Sequence, residues 1–459
     1  MTAGALIREL EDVLPPGAVV TDPTSLAAYR TDRAHDPSAQ APRAVVRARS
    51  TAEVQTAVRW AAKHHVPVIP RGAGTGLSGG ASGRSDALVI STELMRDVAV
   101  DERTRTVVVQ PGLLNAELKA IVAEHGLWYP PDPASFAICS IGGNIATNAG
   151  GLCCVKYGVT VDYVLGLEVV LADGRVVRLG GPLIKDVAGL DLVKLFVGSE
   201  GTLGIVTEIT LRLLPAPPPH RTIIAWFRST EDAAEAIAEI ACTIRPSMLE
   251  YMDRAATNAV EDMLGLGLNR EAAAFVLAAS DEQDPEGREI AFMLEALRRH
   301  HPISADETAA ERGAELENAR RSAIPAVEVN GRILLEDVGV EIPKFAQLVH
   351  GIEDIAARNQ VAIPLLAHAG DGNTHPLIVF DPADAAEEAR AIRAYGEVMT
   401  LAIELGGTIT GEHGVGRLKR PWLERQIGAD ALELGQRIKS AFDPDNIFNP
   451  GTIFKEVHE

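Results

Sequence analysis

Two short motifs in the last quarter of the chain carry side chains that could bind a metal ion and move a proton. The first, HAGDGNTH, runs from His368 to His375. If Asp371-Gly372 forms a two-residue hairpin turn, His368 and His375 lie directly opposite each other, with Cβ atoms about 5 Å apart. Two imidazoles at that spacing can bind one divalent ion. The alternative is a turn with two solvated histidines.

The second motif, GEHGVGR, begins at Gly411 and adds the groups that a two-histidine site lacks. Glu412 offers a carboxylate, and two histidines with one carboxylate leave an open metal position for a substrate. Such a set suits Zn²⁺, and it also accepts Mn²⁺ or Fe²⁺. His413 stands directly beside this carboxylate in the chain. The alternative is a glycine-bracketed loop with solvated charges.

A glycine-rich loop follows the short apolar strand predicted at Val66–Ile69. It holds five glycines in the nine residues from Gly72 to Gly80, including a formal G-x-G-x-x-G. A nicotinamide-binding Rossmann unit needs a helix after this loop, but only ASGRSD separates Gly80 from the next predicted strand, Ala87–Ser91. The Rossmann interpretation is therefore excluded, and a P-loop is excluded because no Gly-Lys-Ser/Thr follows. What remains is either a nest of backbone N–H groups for a pyrophosphate or a flexible surface turn.

Two further segments are rich in glycine and nearly free of charge, IGGNIATNAGG at 141–151 and VGSEGTLGIVT at 197–207. With PRGAGTGLSGG, PPDPAS and the C-terminal FDPDNIFNPG, they form a series that covers nearly the whole chain. In this series the sequence resembles the FAD-binding family typified by vanillyl-alcohol oxidase and p-cresol methylhydroxylase. The resemblance implies an α+β fold, with a two-subdomain FAD-binding domain, an α+β substrate domain and a C-terminal segment that returns to the flavin.

The resemblance also implies which residues contact FAD. The first loop wraps the pyrophosphate, residues of the other segments lie along the cofactor, and one C-terminal residue lies near the flavin. The predicted contact residues are Pro70, Arg71, Gly72, Ala73, Gly74, Thr75, Gly76, Ser78, Gly79, Asp132, Gly143, Thr147, Gly150, Glu200, Gly201, Gly204, Ile205 and Asn449. Because the first loop contains no histidine, we expect FAD to bind non-covalently.

The pairing of HxGDGNxH with GEHG resembles the D-2-hydroxyacid dehydrogenase branch of that family, which includes D-lactate dehydrogenase, D-2-hydroxyglutarate dehydrogenase and the FAD subunit of glycolate oxidase. In metal-dependent members, the residues equivalent to His368, His375 and Glu412 hold Zn²⁺ or a similar ion. The residue equivalent to His413 is the candidate base. The resemblance therefore implies oxidation of a D-2-hydroxy acid to the 2-oxo acid, with hydride passing from Cα to flavin N5 and the metal assisting loss of the hydroxyl proton.

The segment ARRSAIPA, which begins at Ala319, resembles the family segment whose first arginine grips the substrate carboxylate. That residue is Arg320, because a planar guanidinium matches a carboxylate through two hydrogen bonds. The alternatives are that Arg321 takes this role or that Arg320 is a solvated helix-surface residue. Hydroxyglutarate enzymes carry a lysine just beyond this segment, whereas ILLEDVGV here has none. This difference favours a monocarboxylate, D-lactate or glycolate, over a dicarboxylate.

The scaffold that must position these residues is divided by the proline-rich segment LPAPPPHR. It runs from Leu214 to Arg221, and its four prolines in five residues cannot lie inside a helix or a central strand. We predict an FAD-binding domain at 1–218, a substrate domain at 219–408 and a C-terminal segment at 409–459 that completes both sites. Among the predicted elements are the helix Thr51–His64, the hairpins Val98–Gln110 and Val164–Leu179, the strand Ile333–Val340 and the helix Ala385–Leu405.

Composition limits the partners. A net charge of −20 makes the chain a poor candidate for binding nucleic acid, and because its four cysteines form no C-x-x-C we expect no iron–sulfur cluster within the chain. The N-terminal sequence resembles neither a signal peptide nor a membrane span, so we expect a cytoplasmic location, with peripheral membrane contact left open.

The sequence does not identify the electron acceptor, which could be oxygen, a quinone, a cytochrome or an electron-transfer protein. Three alternatives stay open. The chain could be the FAD subunit of a multi-subunit glycolate oxidase with an iron–sulfur partner subunit, it could form a homodimer, or it could be a flavin-binding protein that catalyses no reaction.

Overall fold

The structure is a computed structural model that describes residues 3–34 and 36–456. The chain divides into two compact units. The first unit comprises Met1–Gly150, Val159–Ala216 and Glu412–Glu459, and the second unit comprises Gly151–Gly158 and Pro217–Gly411. The predicted domain ranges include residues 1, 2, 35 and 457–459, which lie outside the described residues, and those ranges stay a prediction.

Both units combine β-sheets with helices. The strands are β1 (Val19–Val20), β2 (Ala44–Arg47), β3 (Val68–Arg71), β4 (Leu88–Ser91), β5 (Val98–Asp101), β6 (Thr106–Val109), β7 (Leu127–Trp128), β8 (Val164–Val170), β9 (Val176–Gly180), β10 (Ile205–Arg212), β11 (Leu214–Pro215), β12 (Arg221–Phe227), β13 (Met248–Asp253), β14 (Ala274–Ser280), β15 (Ser304–Thr308), β16 (Arg332–Leu335), β17 (Val338–Gly339), β18 (Leu365–His368) and β19 (Asn373–Phe380). The α-helices are α1 (Ala3–Val13), α2 (Pro23–Ala27), α3 (Thr51–His64), α4 (Asn115–Glu124), α5 (Ile141–Thr147), α6 (Cys154–Tyr157), α7 (Leu192–Phe196), α8 (Thr230–Thr243), α9 (Arg254–Leu264), α10 (Arg288–Arg299), α11 (Ala310–Arg321), α12 (Ala323–Glu328), α13 (Phe345–Asn359), α14 (Ala385–Glu404), α15 (Arg420–Ile427) and α16 (Ala429–Phe442). Short 3₁₀ helices lie at Thr160–Asp162 and Ile342–Lys344.

The first unit is built on two main sheets. The four-stranded sheet has the order β1-β2-β4-β3, in which β2, β4 and β3 are parallel and β1 is antiparallel to β2. The five-stranded sheet has the order β5-β6-β10-β8-β9 and is antiparallel throughout. The two predicted hairpins form β5–β6 and β8–β9, which confirms both of them.

Helix α3 shows how the sequence builds the core of the four-stranded sheet. Ser50 caps the helix, because its side chain accepts a backbone N–H of the first turn at 3.3 Å. Val54 and Val58, one turn apart, are fully buried in the core that contains the strands. The helix ends where His65 adopts a left-handed φ of 49°. These bounds match the predicted helix.

The second unit is built on an eight-stranded antiparallel sheet. Its strands follow the order β15-β12-β14-β13-β18-β19-β16, and β17 also pairs with β19. Every residue of β14 is buried, so both faces of the sheet are covered at its centre. The strand predicted at Ile333–Val340 is wrong as one element, because the chain leaves strand geometry at Glu336-Asp337 between β16 and β17. Both acidic residues are fully buried.

Over residues 3–34 and 36–456, none of the helices combines the length and the apolar composition that crossing a bilayer requires.

Candidate active site

The glycine loop joins β3 to β4 in the first unit without a helix. The two strands are parallel neighbours, so residues 72–87 cross over without the helix that a Rossmann unit requires. The guanidinium of Arg71, the last residue of β3, donates to the carbonyl oxygens of Thr31 at 3.0 Å and Ala81 at 2.8 Å. A Cβ at Gly74 would lie 2.3 Å from this guanidinium, and the φ of Gly74 is 74°. Glycine is therefore required at this position.

The second glycine segment forms α5 and contacts the first loop. Ser140 caps α5, and its Oγ accepts the backbone N–H groups of Gly143 and Ala73, each at 3.3 Å. A Cβ at Gly72 would lie 2.4 Å from the same Oγ. Because Gly72 has no side chain, the loop can approach the beginning of α5 this closely.

The third glycine segment brings Glu200 against the C-terminal part of the first unit. Its carboxylate accepts the backbone N–H groups of Val415 at 2.7 Å and Gly416 at 2.8 Å. Burial raises the pKa of Glu200 to about 7, and these two hydrogen bonds oppose the rise only in part. The side-chain amide of Asn449 donates to the carbonyl oxygens of Gly80 at 2.8 Å and Glu200 at 2.9 Å. Asn449 thereby connects the first and third glycine segments.

All the residues predicted to contact FAD lie in the first unit, and so do Glu412 and His413. The carboxylate of Glu412 is 3.9 Å from Nε2 of His413. The hydroxyl of Ser78, in the first glycine loop, donates to the backbone carbonyl oxygen of His413 at 3.1 Å. The candidate base is therefore held by its backbone against the predicted cofactor loop.

In the second unit, β18 and β19 form the predicted histidine hairpin with a different register. His368 pairs with Asn373 and not with His375, so the predicted direct pairing of the two histidines is wrong. The cause is Gly370, whose N–H donates to the carbonyl oxygen of Leu249 on β13 at 3.0 Å and is not available to the hairpin.

The two imidazoles still meet, because alternate residues of a strand share one face of the sheet. His375 lies two residues beyond Asn373, which makes it a diagonal neighbour of His368. The ring centroids are 5.1 Å apart and the ring planes cross at 85°. Both histidines are buried. The structure thus brings together the two histidines that were predicted to bind a metal ion.

A buried ion pair lies beside His368. Oε1 of Glu250, on β13, is 2.8 Å from Nδ1 of His368, and Oε2 is 2.8 Å from Nη2 of Arg320. Glu250 is 1% exposed and Arg320 is 2% exposed. The arginine predicted to bind the substrate carboxylate thus bonds to a carboxylate of the protein. Glu250 is not among the predicted site residues, and its signal in the sequence is an acidic residue inside the apolar strand MLEYMD.

A second buried carboxylate lies near His375. Oδ1 of Asp337 is 3.7 Å from Nδ1 of His375. Oδ2 of Asp337 accepts hydrogen bonds from the hydroxyl of Thr410 at 2.7 Å and the backbone N–H of Gly411 at 2.9 Å. Asp337 lies in the segment ILLEDVGV, where the only predicted feature is the lack of a lysine, and it is not among the predicted site residues.

Comparison with known proteins identifies the family. Residues 216–453 match the family described as FAD linked oxidases, C-terminal domain, and residues 42–180 match an FAD binding domain. The chain belongs to the FAD-linked oxidase family. It is 42% identical to the glycolate oxidase subunit GlcD of Bacillus subtilis over 90% of this chain and 89% of that protein. It is 35% identical to a D-lactate dehydrogenase of Archaeoglobus fulgidus over 98% of this chain and 99% of that protein.

The fold of this FAD-linked oxidase matches a solved structure of p-cresol methylhydroxylase with substrate bound. The TM-score is 0.82 at 17% sequence identity, over 99% of this chain and 97% of that chain. The predicted α+β fold and the predicted family are therefore confirmed.

The first unit of this FAD-linked oxidase fits its cofactor. Oδ1 of Asn449 and Oγ1 of Thr452 are buried and have no hydrogen-bond partner among residues 3–34 and 36–456. A Cβ at Gly80 would lie 3.6 Å from the Thr452 side chain, so these polar atoms lie against the first glycine loop. Buried polar atoms of this kind need a partner, and a dinucleotide offers several.

The second unit offers donor atoms that fit a divalent metal ion. The imidazoles of His368 and His375 provide nitrogen donors, and Asp337 adds a carboxylate close to one of them. Nitrogen and oxygen donors of this type suit Zn²⁺, Mn²⁺ and Fe²⁺. The residues present are therefore chemically suited to a metal ion, and the ligand set of His368, His375 and Glu412 stays a prediction.

Proposed function

We propose that this FAD-linked oxidase oxidises a D-2-hydroxy acid to the corresponding 2-oxo acid. The observation that carries the proposal is the buried pair of imidazoles, His368 and His375, next to the Glu250–Arg320 ion pair. The relatives named for glycolate and for D-lactate support the hydroxy-acid class. The lack of a lysine in ILLEDVGV favours a monocarboxylate, D-lactate or glycolate.

Arg320 is the proposed group that binds the substrate carboxylate. A planar guanidinium can hold a carboxylate through two parallel hydrogen bonds. Its bond to Glu250 supports this role, since it fixes the guanidinium in one orientation before the substrate arrives.

His368, His375 and Glu412 are the proposed metal ligands. A divalent ion at these residues supplies a Lewis acid that makes the substrate hydroxyl more acidic. His413 is the proposed base, and a nitrogen of its imidazole accepts the hydroxyl proton as hydride leaves Cα. FAD supplies the acceptor for that hydride when it is bound. Loss of one proton and one hydride converts the hydroxy acid into the 2-oxo acid.

Anaerobic reduction of the flavin tests the proposal directly. The holoenzyme is mixed with D-lactate, L-lactate, glycolate, D-2-hydroxyglutarate and mandelate, with and without a chelator. We expect D-lactate or glycolate to bleach the flavin absorbance fastest, and the chelator to slow the reaction. The variant His413→Ala should keep FAD but lose bleaching, and unchanged reduction kinetics would reject His413 as the base. If none of the hydroxy acids bleaches the flavin, the proposed function is wrong.

A second candidate keeps this chemistry but places the chain in a larger enzyme. The supporting observation is the 42% identity to a protein named as a glycolate oxidase subunit. In this case the chain is a catalytic FAD subunit that passes electrons to an iron–sulfur partner. Purification of the chain from its native cells distinguishes the two, because only the second candidate predicts an iron-containing protein in stoichiometric amount. D-2-hydroxyglutarate dehydrogenase activity is the remaining candidate, and it would be supported if D-2-hydroxyglutarate bleached the flavin fastest among the hydroxy acids tested.

A further inference from the structure

We infer that Glu250 is a positioning residue that holds His368 in the tautomer that metal binding requires. The inference deepens the proposed function, because it rests on the metal role of His368. It assigns a role to Glu250, a buried residue that lies 118 residues away from His368 in the sequence.

Glu250 contacts one nitrogen of the imidazole with both of its oxygens. Oε1 lies 2.8 Å and Oε2 lies 3.0 Å from Nδ1 of His368. A carboxylate can only accept hydrogen bonds, so Nδ1 must carry the hydrogen. The lone pair of the neutral ring is then on Nε2, and this is the ring nitrogen that would bind a metal ion. A carboxylate behind a histidine ligand is the arrangement that fixes ring orientation and increases ligand basicity at many metal sites.

Arg320 holds Glu250 in this position. Its Nη2 forms an ion pair with Oε2 at 2.8 Å, and both side chains are almost fully buried. The cation compensates the charge of the buried carboxylate, which would otherwise be costly to keep out of water. The guanidinium also lies against one side of Oε2, so the carboxylate cannot rotate away without breaking this ion pair.

The sheet supplies a rigid frame for the contact. Strands β13 and β18 are antiparallel neighbours with Tyr251 opposite Ala367, and this register brings Glu250 beside His368. Groups on paired strands keep their spacing better than groups on loops. The contact is therefore built into the centre of the second unit and is not an accident of a surface side chain.

Zinc affinity is the first test. The FAD-loaded protein is stripped of metal and titrated with Zn²⁺ against a chromophoric chelator. We expect Glu250→Gln to weaken Zn²⁺ binding about 10- to 100-fold, because the amide offers one acceptor oxygen and turns an N–H₂ group toward Arg320. Glu250→Asp keeps the charge and should recover part of the loss. FAD content, measured in the same samples, reports that each variant is folded.

Asp253→Asn is the matched control. Asp253 ends the same strand and accepts the backbone N–H of Ala256 at 2.7 Å, and an amide oxygen can accept the same bond. This variant loses one acidic group from β13 without touching the histidines. We expect its Zn²⁺ affinity to equal that of the wild type.

The tautomer itself is the second test and needs no metal. In protein labelled with ¹⁵N-histidine, the signals of His368 are assigned by their loss in His368→Gln. We expect the Nδ1–H tautomer in the wild type and a mixture of both tautomers in Glu250→Gln. Equal Zn²⁺ affinity and an unchanged tautomer in Glu250→Gln would overturn the inference. If the wild type binds no Zn²⁺, the proposed metal site is wrong, and the tautomer measurement alone decides the role of Glu250.

Discussion

Replacement of Glu200 by glutamine tests how the first unit holds its C-terminal segment. The buried carboxylate accepts the N–H groups of Val415 and Gly416, just after the candidate base. Burial raises the pKa of Glu200 to about 7 from the ordinary 4.5. An acid whose pKa is higher in the folded state stabilises the fold fully below pH 4.5, and this stability is lost as the pH rises through about 7.

The size of the effect follows from the pKa values of Glu200 in the folded and the unfolded chain. A tenfold difference between the two acid dissociation constants corresponds to about 1.4 kcal/mol, so the change in pKa from 4.5 to about 7 corresponds to about 3.4 kcal/mol over the whole titration. Part of this change occurs below pH 5, and about 2.5 kcal/mol of the free energy of unfolding is lost between about pH 5 and pH 8. Glutamine is neutral at every pH, so Glu200→Gln lacks this component. With an unfolding entropy of about 2.1 cal/mol/K per residue, Tm of the 459-residue chain shifts by about 1 °C per kcal/mol, so the wild type should lose about 2 to 3 °C of Tm relative to the variant over the same interval.

Scanning calorimetry of the holoenzyme measures this difference. Wild type and Glu200→Gln are scanned at one rate at pH 5 and pH 8 with FAD in equal excess. The Kd for FAD is measured for each protein at both pH values, so that the contribution of cofactor binding to Tm can be subtracted. The control is Glu124→Gln, which removes an exposed carboxylate at the end of α4 and the same formal charge. We expect the two profiles to converge or cross as the pH rises. Parallel Tm profiles for wild type and Glu200→Gln would refute the argument from burial.

Three further variants test other parts of the structure. Gly72→Ala should reduce FAD retention after gel filtration at least about 10-fold, because its Cβ would lie 2.4 Å from Oγ of Ser140, and Ser140→Ala in the same chain should recover part of it. His375→Ala should lower metal content measured by mass spectrometry while FAD content stays constant, and equal metal content would contradict the proposed ligand. Arg320→Lys should raise KM for the hydroxy acid about 10-fold or more, since lysine lacks the planar fork, and an unchanged KM would remove Arg320 from the carboxylate site.

Features that depend on neighbouring residues could be predicted from the sequence. Helix α3 has its cap, its buried stripe and its left-handed end within one stretch of chain, and its predicted bounds are correct. The glycine loop could be distinguished from a Rossmann unit because the stretch between the loop and the next strand lacks a helix, and this is visible in adjacent residues of the sequence. The family could be recognised because several motifs, each local, occur in one order along the chain.

The histidine hairpin marks the limit of this approach. The Asp-Gly pair predicts a two-residue turn, but the carbonyl oxygen of Leu249 on another strand binds the N–H of Gly370 and shifts the register. His368 has a different strand partner from the predicted one, but its side chain is still close to that of His375. Side chains alternate along a strand, so the predicted and the observed registers both place the two histidines on the same face of the sheet.

The family, the cofactor class, the glycine segments and most of the side chains proposed for chemistry could be predicted from the sequence, because each of these is encoded in short stretches of residue types. The contacts of Glu250 with His368 and Arg320, the approach of Asp337 to His375, and the raised pKa of buried Glu200 could be found only from the folded structure. These contacts join residues far apart in the chain. They are fixed by the order and register of strands and by exclusion of water, and no spacing pattern within a single segment carries that information.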